Sequence, residues 1–142
     1  MARQHVVDAN ATLGLFLQLP YSQKVDRWMQ TWQAEEASLV VPILWDYECL
    51  TGLRRAAALK LITSEEAGRM VNHLLALELQ RVAPTLELHR SALTWSERIG
   101  QSKVYDAHYI ALAENLSAEF WTADKRLYHT LQGLGVKWAH SV

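Results

Sequence analysis

The sequence predicts an α/β fold in which helices cover both faces of a mainly parallel sheet. Short apolar runs alternate with segments of helical periodicity along the chain. Parallel strands need crossover connections, which helices supply, and right-handed crossovers place those helices on the two faces of the sheet. The 142 residues contain no internal repeat, low-complexity tract or linker, so we expect residues 1–142 to form a single domain.

Two strand-to-helix units are predicted in the first part of the chain. The apolar run at residues 4–7 is a strand that turns directly into a helix at 10–19. Residues 38–41 form a second strand, and a helix follows at about 43–59. A helix that begins at Ser22 connects the two units. This helix carries large apolar residues at helical spacing, which we expect to lie in the core: Val25, Trp28, Met29 and Trp32.

The second half of the chain continues the alternation. Thr63 and Glu66 have the spacing of a capping box, which starts a helix that ends near residue 80. Residues 81–83 are a weak strand candidate. The remaining predicted elements are helices at 85–99, 105–114 and 125–131 and strands at 119–122 and 136–139.

Composition and charge exclude several classes of protein. A formal net charge of -1 argues against binding nucleic acid through bulk basicity, so any such contact has to be local. The single cysteine, Cys49, cannot form an internal disulfide and fits a reducing compartment. No apolar run reaches the length of a membrane span, and the first residues lack a signal-peptide core. We therefore expect a cytoplasmic protein that does not enter a membrane.

Four acidic residues lie at the ends of predicted elements or in apolar surroundings: Asp8, Glu48, Asp106 and Asp124. Asp8 and Asp124 come just beyond the carboxyl ends of predicted strands, where ligands bind in open α/β sheets. A carboxylate ahead of a helix can also be an N-cap, and this explains Asp8, Asp106 and Asp124 taken singly. Both interpretations stay open at this point, and one carboxylate can serve in both ways.

Glu48 is harder to explain as a cap because it lies inside the helix at 43–59. The apolar residues of that helix point in nearly every direction, which predicts a helix buried on all sides. A buried glutamate needs a partner or a metal, and Arg55, two turns on, is a candidate partner for an ion pair. Gly52, one turn beyond Glu48, would leave room beside the carboxylate.

Four segments, taken together and in order, carry a family resemblance: VVDANA, PILWDYECLTGLRR, VYDAHYIALAENL and FWTADKRL. They span residues 6–127, nearly the whole chain. In these segments the chain resembles the PIN-domain ribonucleases, and most closely the VapC-like toxins of bacterial and archaeal toxin–antitoxin pairs. The resemblance implies a three-layer α/β/α domain with a central, mainly parallel sheet.

The resemblance also implies roles for individual residues. The residues that would form an acidic metal site and act in catalysis are Asp8, Glu48, Asp106 and Asp124. Thr122 matches a hydroxyl position that borders this site, and Asn10 matches a small polar residue behind it. His108 falls where relatives carry an apolar or aromatic residue, so we expect a partly exposed helical histidine and not a ligand.

Such a set of carboxylates needs a cation. Two carboxylates about 4 Å apart repel by roughly 4 kcal/mol at an effective dielectric constant of about 20, and oxygen ligands without a Cys/His cluster favour Mg²⁺ or Mn²⁺ over zinc. We therefore predict metal-dependent hydrolysis of an RNA phosphodiester, and the resemblance adds 5′-phosphate and 3′-hydroxyl products. Two alternatives stay open: a catalytically silent binding module of the same fold, and a metal-dependent phosphatase or nuclease that acts on another phosphate ester.

Basic residues close to the acids in the sequence are Arg54, Arg55, Lys103, Lys125 and Arg126. Lys125 and Arg126 directly follow Asp124, so they are the candidates for contacts with RNA phosphates, and a solvated surface explains the others. The resemblance further implies an antitoxin, which would lay an apolar segment beside the helix that begins at Ser22. It also implies a homodimer.

Overall fold

The computed structural model describes residues 2–142. Within these residues the strands are β1 (Gln4–Val7), β2 (Ser38–Pro42), β3 (Leu79–Val82), β4 (Glu119–Thr122) and β5 (Ala139–Ser141). The helices are α1 (Ala9–Leu13), α2 (Ser22–Ala34), α3 (Leu44–Ala58), α4 (Ser64–Ala76), α5 (Leu86–Arg98), α6 (Tyr105–Leu116) and α7 (Lys125–Gly133). The strands form one sheet in the order β3-β2-β1-β4-β5, and all of its neighbouring strands are parallel. This confirms the predicted fold class.

The order of the strands places β1 at the centre of the sheet. Val6 of β1 pairs with Val40 of β2 on one side and with Phe120 of β4 on the other. The chain runs from β1 through β2 to β3 in one direction and then returns to place β4 and β5 on the far side of β1. The carboxyl ends of β1 and β4 therefore meet where the strand order reverses, and ligands bind at such a point in open α/β sheets.

Helices pack on both faces of the sheet, as expected for three layers. On one face the buried side chains of α3, α5 and α6, among them Trp45, Trp95 and Ile110, form the larger core with Val6 of β1. On the other face, α2 packs in a smaller core that includes Val7. Because neighbouring residues of β1 point into different cores, the central strand is covered on both sides.

The apolar stripe of α2 lies in the smaller core, as predicted. Val25 and Trp32 are buried, whereas Trp28 and Met29 are half-buried. The rings of Trp28 and Trp32 both pack against Trp121 of β4, with centroid separations of 4.4 and 5.0 Å. The stripe therefore fixes α2 against the sheet, and its half-buried members remain partly accessible.

Several predicted boundaries are wrong. β3 is present but spans Leu79–Val82 and not residues 81–83. α1 ends at Leu13 and not at residue 19, because the chain leaves it through a series of tight turns. α4 ends at Ala76 and not near residue 80, since Leu79 already begins the strand that pairs with β2. β5 begins at Ala139 and not at residue 136, because the N–H of Val136 still bonds to a carbonyl of α7.

α3 is not buried on all sides, which corrects the sequence prediction. One side faces the core, but Tyr47 is 71% exposed and Leu50 is also exposed. Gly52 lies against Leu13 of α1, and a Cβ at this position would overlap the Leu13 side chain. The missing side chain therefore lets α1 and α3 approach closely, and it does not serve to leave room beside Glu48.

The capping box of α4 is confirmed. Thr63 Oγ1 accepts a hydrogen bond from the N–H of Glu66 at 3.0 Å, and Glu66 Oε1 accepts one from the N–H of Thr63 at 3.3 Å. Among residues 2–142, no helix is both long enough and apolar enough to span a membrane.

Candidate acidic site

Asp8 lies directly after β1 and is 6% exposed. Its Oδ1 accepts a hydrogen bond from the N–H of Ala11 at 2.8 Å, so it caps α1. Its Oδ2 accepts one from the hydroxyl of Thr122 at 2.5 Å. Burial raises the pKa of Asp8 to about 7 against the lowering effect of these bonds, and the charge of Asp106 raises it further. Asp8 is therefore a helix cap and also a carboxylate whose charged form is disfavoured by burial at the end of the central strand.

Thr122 connects the ends of β1 and β4. It is fully buried, and besides donating to Asp8 its hydroxyl accepts a hydrogen bond from the N–H of Asp124 at 2.9 Å. The Thr122 side chain thus orients the carboxylate of Asp8 and fixes the backbone of Asp124. The role of Thr122 beside a metal site stays a prediction.

Asp124 is the N-cap of α7 and is exposed. Its Oδ1 accepts hydrogen bonds from the N–H groups of Arg126 and Leu127, at 2.9 and 3.2 Å. The N-cap interpretation is therefore right for Asp124, as it is for Asp8. Lys125 and Arg126 begin α7 with exposed side chains on this side of the acid.

Asp106 is not an N-cap, so the capping interpretation is wrong for this residue. It is the second residue of α6, whose N-cap is Val104. Its Oδ2 accepts a hydrogen bond from the side-chain amide of Gln101 at 3.0 Å. Burial raises the pKa of Asp106, and the charge of Asp124 adds to this shift.

Asp106 is the residue through which the four acids influence one another. Its charge raises the pKa of Asp8 and that of Glu48, and its own pKa is raised by Asp124. Side chains from three different parts of the chain therefore share one electrostatic environment with it. Like charges have this effect only at short range in a partly buried setting.

Glu48 is half-buried on α3, and its partner is Tyr109 of α6. The Tyr109 hydroxyl donates a hydrogen bond to Glu48 Oε1 at 2.8 Å. Arg55 is exposed and forms no ion pair with Glu48, so the predicted Arg55 partnership is wrong. Burial raises the pKa of Glu48, and the charge of Asp106 contributes.

Neutral groups orient all four acids. The donors are a threonine hydroxyl, a tyrosine hydroxyl, a glutamine amide and backbone N–H groups. The ion pairs found among residues 2–142 join other acids, Asp46 to Arg81 and Glu119 to His140. The negative charge of the cluster is therefore not balanced by a basic side chain, which is the condition that favours a bound cation.

The donor set fits a hard divalent cation, but the site is not already assembled around one. Only carboxylates and hydroxyls converge here, which are the ligands that Mg²⁺ and Mn²⁺ prefer. In the part of the chain that the structure describes, no three His, Cys, Asp or Glu side chains are close enough together to hold an ion. Cation binding would require the carboxylates to come closer together.

Two other predicted residues lie apart from the acids' hydrogen bonds. Asn10 is exposed, and its carbonyl oxygen accepts a hydrogen bond from Tyr21 at 2.7 Å. His108 is half-buried and its ring meets that of His89 edge to face, with centroids 5.2 Å apart. Burial lowers the pKa of His108.

Sequence reasoning missed Tyr109 and Gln101. Tyr109 follows Asp106 by three residues, so both point to one side of α6, and this spacing was a usable signal. Gln101 lies in the loop between α5 and α6, where nothing in the sequence distinguishes it from a solvated residue.

Comparisons with known proteins agree with this architecture. Residues 5–131 match the sequence model of the PIN domain family, which is most of the chain. A search of the curated proteins finds no match to the sequence.

Solved structures share the fold along nearly the whole chain. PAE2754 from Pyrobaculum aerophilum is 24% identical, with 100% of this chain and 92% of that chain covered and a TM-score of 0.71. A toxin–antitoxin complex from Klebsiella pneumoniae is 12% identical, with coverages of 96% and 95% and a TM-score of 0.68. VapC20 from Mycobacterium tuberculosis, a Sarcin-Ricin loop cleaving toxin, is 16% identical, with coverages of 87% and 92% and a TM-score of 0.65.

Proposed function

The chain belongs to the PIN domain family, and from that premise we propose that it is a metal-dependent endoribonuclease and the toxin of a toxin–antitoxin pair. One observation carries the proposal. Four carboxylates lie at the carboxyl ends of β1 and β4 and on the adjoining helices, and neutral donors orient them without balancing their charge. Such an arrangement is stable at neutral pH with a cation present or with a proton retained.

Asp8, Glu48, Asp106 and Asp124 are the residues that would hold Mg²⁺ or Mn²⁺. When bound there, such an ion supplies an activated water and neutralises charge that builds on a phosphate oxygen. The protein's own contribution is orientation. Thr122 fixes one oxygen of the buried Asp8, and two backbone N–H groups at the start of α7 fix one oxygen of the exposed Asp124. No catalytic histidine is required by this chemistry.

RNA is the substrate class that the comparisons support best. The name of the M. tuberculosis neighbour describes a toxin that cleaves the Sarcin-Ricin loop. An acidic site needs help to attract a polyanion, and Lys125 and Arg126 are exposed at the start of α7, directly beside Asp124. We propose that these two side chains contact phosphates that flank the cut bond.

An antitoxin is the proposed protein partner, because the neighbours include a toxin–antitoxin complex. The half-buried end of the α2 stripe supplies a place for it. A cavity of about 470 Å³ lies between α2 and the connection from α4 to β3, and Met29, Trp32 and Leu77 line it. An apolar segment of the antitoxin would insert there. The two proteins would meet in a reducing compartment, the cytoplasm.

A homodimer is proposed through the exposed side of α3. Ile43, Tyr47 and Leu50 follow one another at helical spacing and are all exposed. An apolar row of this kind is typical of an interface. A symmetric pair of copies would cover it.

A catalytically silent binding module is the second candidate. The observation that favours it is that the acids are not yet close enough to share an ion. This candidate predicts that cations leave the protein's stability unchanged.

The test is cleavage of a cellular RNA mixture by the purified protein with Mg²⁺ or Mn²⁺, with EDTA, and by Asp106→Asn. Asp26→Asn is the matched control, because Asp26 is an exposed aspartate on α2 and lies outside the acidic cluster. Discrete cuts by wild type and control that vanish with EDTA and in Asp106→Asn support the proposal. DNA and p-nitrophenyl phosphate, tested in parallel, separate a ribonuclease from other phosphoesterases. No cleavage of any of these, without a metal-dependent rise in melting temperature, would favour the silent module.

A further inference from the structure

We propose that Tyr109 is a positioning residue that orients Glu48 toward the cation site. The whole effect of Tyr109 on cation binding is exerted through Glu48. This proposal rests on the proposed function, since it concerns how the same acidic site is built. It assigns a role to a residue that the sequence did not single out.

The geometry of the contact is that of a fixed, directional bond. Tyr109 is 1% exposed, and its hydroxyl donates to Glu48 Oε1 at 2.8 Å. A phenol has one proton to donate, and here it goes to Glu48. Glutamate has a long, flexible side chain that loses much rotamer freedom when it is ordered. A buried donor that holds one oxygen therefore removes most of that freedom before any ligand arrives.

The position of Tyr109 on α6 places its contact with Glu48 close to a second acid of the site. Asp106 lies three residues before it and thus on the same side of the helix. Small buried residues surround it on α6, namely Ala107, Ala111 and Ala113. They let the helix pack closely on the sheet, so the tyrosine ring is held in one position by its surroundings. One helix thereby contributes an acid directly and orients a second acid on α3.

The chemical type of the donor matters as much as its position. An arginine or lysine at this place would neutralise Glu48 and compete with a cation for it. A tyrosine hydroxyl holds the carboxylate and leaves its negative charge available. Outer groups that orient metal ligands in this way typically change metal affinity or activity by about 10–100-fold when they are removed.

The test is calorimetric titration of Mn²⁺ into wild type, Tyr109→Phe, Glu48→Gln and the double variant, with RNA cleavage measured beside it. Phenylalanine keeps the ring and removes only the hydroxyl. We expect Tyr109→Phe to weaken Mn²⁺ binding by about 10-fold or more. We expect no further effect of Tyr109→Phe when Glu48 is already glutamine, because a residue that acts only through Glu48 has nothing left to orient.

Tyr128→Phe is the matched control, since Tyr128 lies on α7 with its ring against His129, and among residues 2–142 its hydroxyl makes no hydrogen bond to Glu48. It should bind Mn²⁺ and cut RNA as wild type does. The melting temperature without metal shows whether each variant is folded. If Tyr109→Phe does not fold, Tyr109→Met, which fills the space with a flexible apolar side chain, is titrated in its place.

The outcomes separate this proposal from the one on which it rests. Wild-type affinity in folded Tyr109→Phe overturns the positioning role and leaves the nuclease proposal standing. A loss of equal size in the wild-type and Glu48→Gln backgrounds overturns it as well, since the effect would then be structural. If wild type itself neither binds Mn²⁺ nor cuts RNA, the proposed function fails and the positioning role falls with it.

Discussion

Thr122 donates its hydroxyl proton to Oδ2 of Asp8 at 2.5 Å, although the two residues are 114 positions apart in the chain. The bond crosses from the end of β4 to the end of β1, the point where the strand order reverses. It joins side chains at the ends of two neighbouring strands whose backbones already pair in the sheet.

Replacing Thr122 by valine should destabilise the protein by about 1–3 kcal/mol, because buried Asp8 loses a donor and the N–H of Asp124 loses an acceptor. The side chain keeps nearly the same volume, so packing is a minor factor. Denaturant unfolding at neutral pH measures the change. Thr122→Ser keeps the hydroxyl and is the control. A loss in Thr122→Ser with none in Thr122→Val would show that the methyl group, and not the hydrogen bonds, is what matters.

The metal-free protein should lose stability as pH rises from 5 to 8. Burial raises the pKa of Asp8 from its ordinary value of 3.8 to about 7, so the folded state keeps a proton that the unfolded state has already released. The stabilising contribution is full below the unfolded pKa and is lost as pH rises through the folded pKa. The slope approaches about 1.4 kcal/mol per pH unit for one such group.

Thermal unfolding in EDTA across that pH range measures this effect. Asp8→Asn should flatten the slope, since the amide does not titrate. The raised pKa values of Glu48 and Asp106 act in the same direction and leave a residual slope. A slope in Asp8→Asn as steep as in wild type would contradict the assignment to Asp8.

Asp106→Asn should change stability in opposite directions with and without metal. Without metal the variant should melt a few degrees higher, because the like-charge repulsion exerted on Asp8 and Glu48 is relieved. With Mn²⁺ the wild type should gain about 2.7 kcal/mol at 100 times its dissociation constant, while the variant gains little. Melting curves of both proteins with and without Mn²⁺, with Asp26→Asn as control, test this reversal in the order of their stabilities. Parallel shifts in both would argue against a cation site at Asp106.

Charge reversal of Lys125 and Arg126 to glutamate should weaken RNA cleavage and reduce its dependence on salt. Both side chains are exposed next to Asp124, and each phosphate contact adds close to one unit to the slope of log affinity against log salt. Cleavage rates measured over a range of salt concentrations give the slope. The same reversal at Lys24 and Arg27, exposed on α2, is the control. Unchanged cleavage in the Lys125 and Arg126 variant would remove both from the substrate path.

Leu50→Glu should convert a dimer to a monomer if the exposed side of α3 is the interface. The new charge would be buried against a second copy, which is strongly unfavourable. Sedimentation velocity at micromolar concentration distinguishes the two states. Leu93→Glu, at a more exposed leucine on α5, is the comparison. A monomeric wild type at that concentration would remove the proposal.

The order of strands and helices could be predicted from the sequence because it depends on local patterns. The run at Glu119–Thr122, for example, is a strand with the predicted bounds, and the capping box at Thr63 starts α4 as its spacing requires. Asp8 and Asp124 could be placed for the same reason, since Asp8 directly follows β1 and Asp124 lies two residues after the end of β4. The parallel sheet then brings these two positions to one edge.

The partners of the acids could not be predicted, because they depend on contacts between distant segments. Tyr109 reaches Glu48 over 61 positions. Its spacing from Asp106 indicates the side of α6 on which it lies, but no local pattern identifies Glu48 as its partner. Arg55 was a reasonable partner on one helix, but the exposed side of α3 carries it into solvent. The sequence suggests that Gly52 leaves room beside Glu48, but in the structure Gly52 leaves room for the side chain of Leu13 of α1. Packing between helices decided all three cases.

The pairing of β4 with β1 has a consequence for the protein while it is being made. A ribosome-bound chain that has exposed only its first hundred residues has Asp8 and Glu48 but lacks Asp106, Tyr109, Thr122 and Asp124. The strands β1 to β3 and the helices α1 to α5 can then be present. The strand β4, which pairs with β1 where the strand order reverses, has not yet been made. If the acids are the catalytic centre, the chain is harmless to the RNA of its own ribosome until its last quarter has emerged and docked. Synthesis order thus supplies a delay before the activity begins.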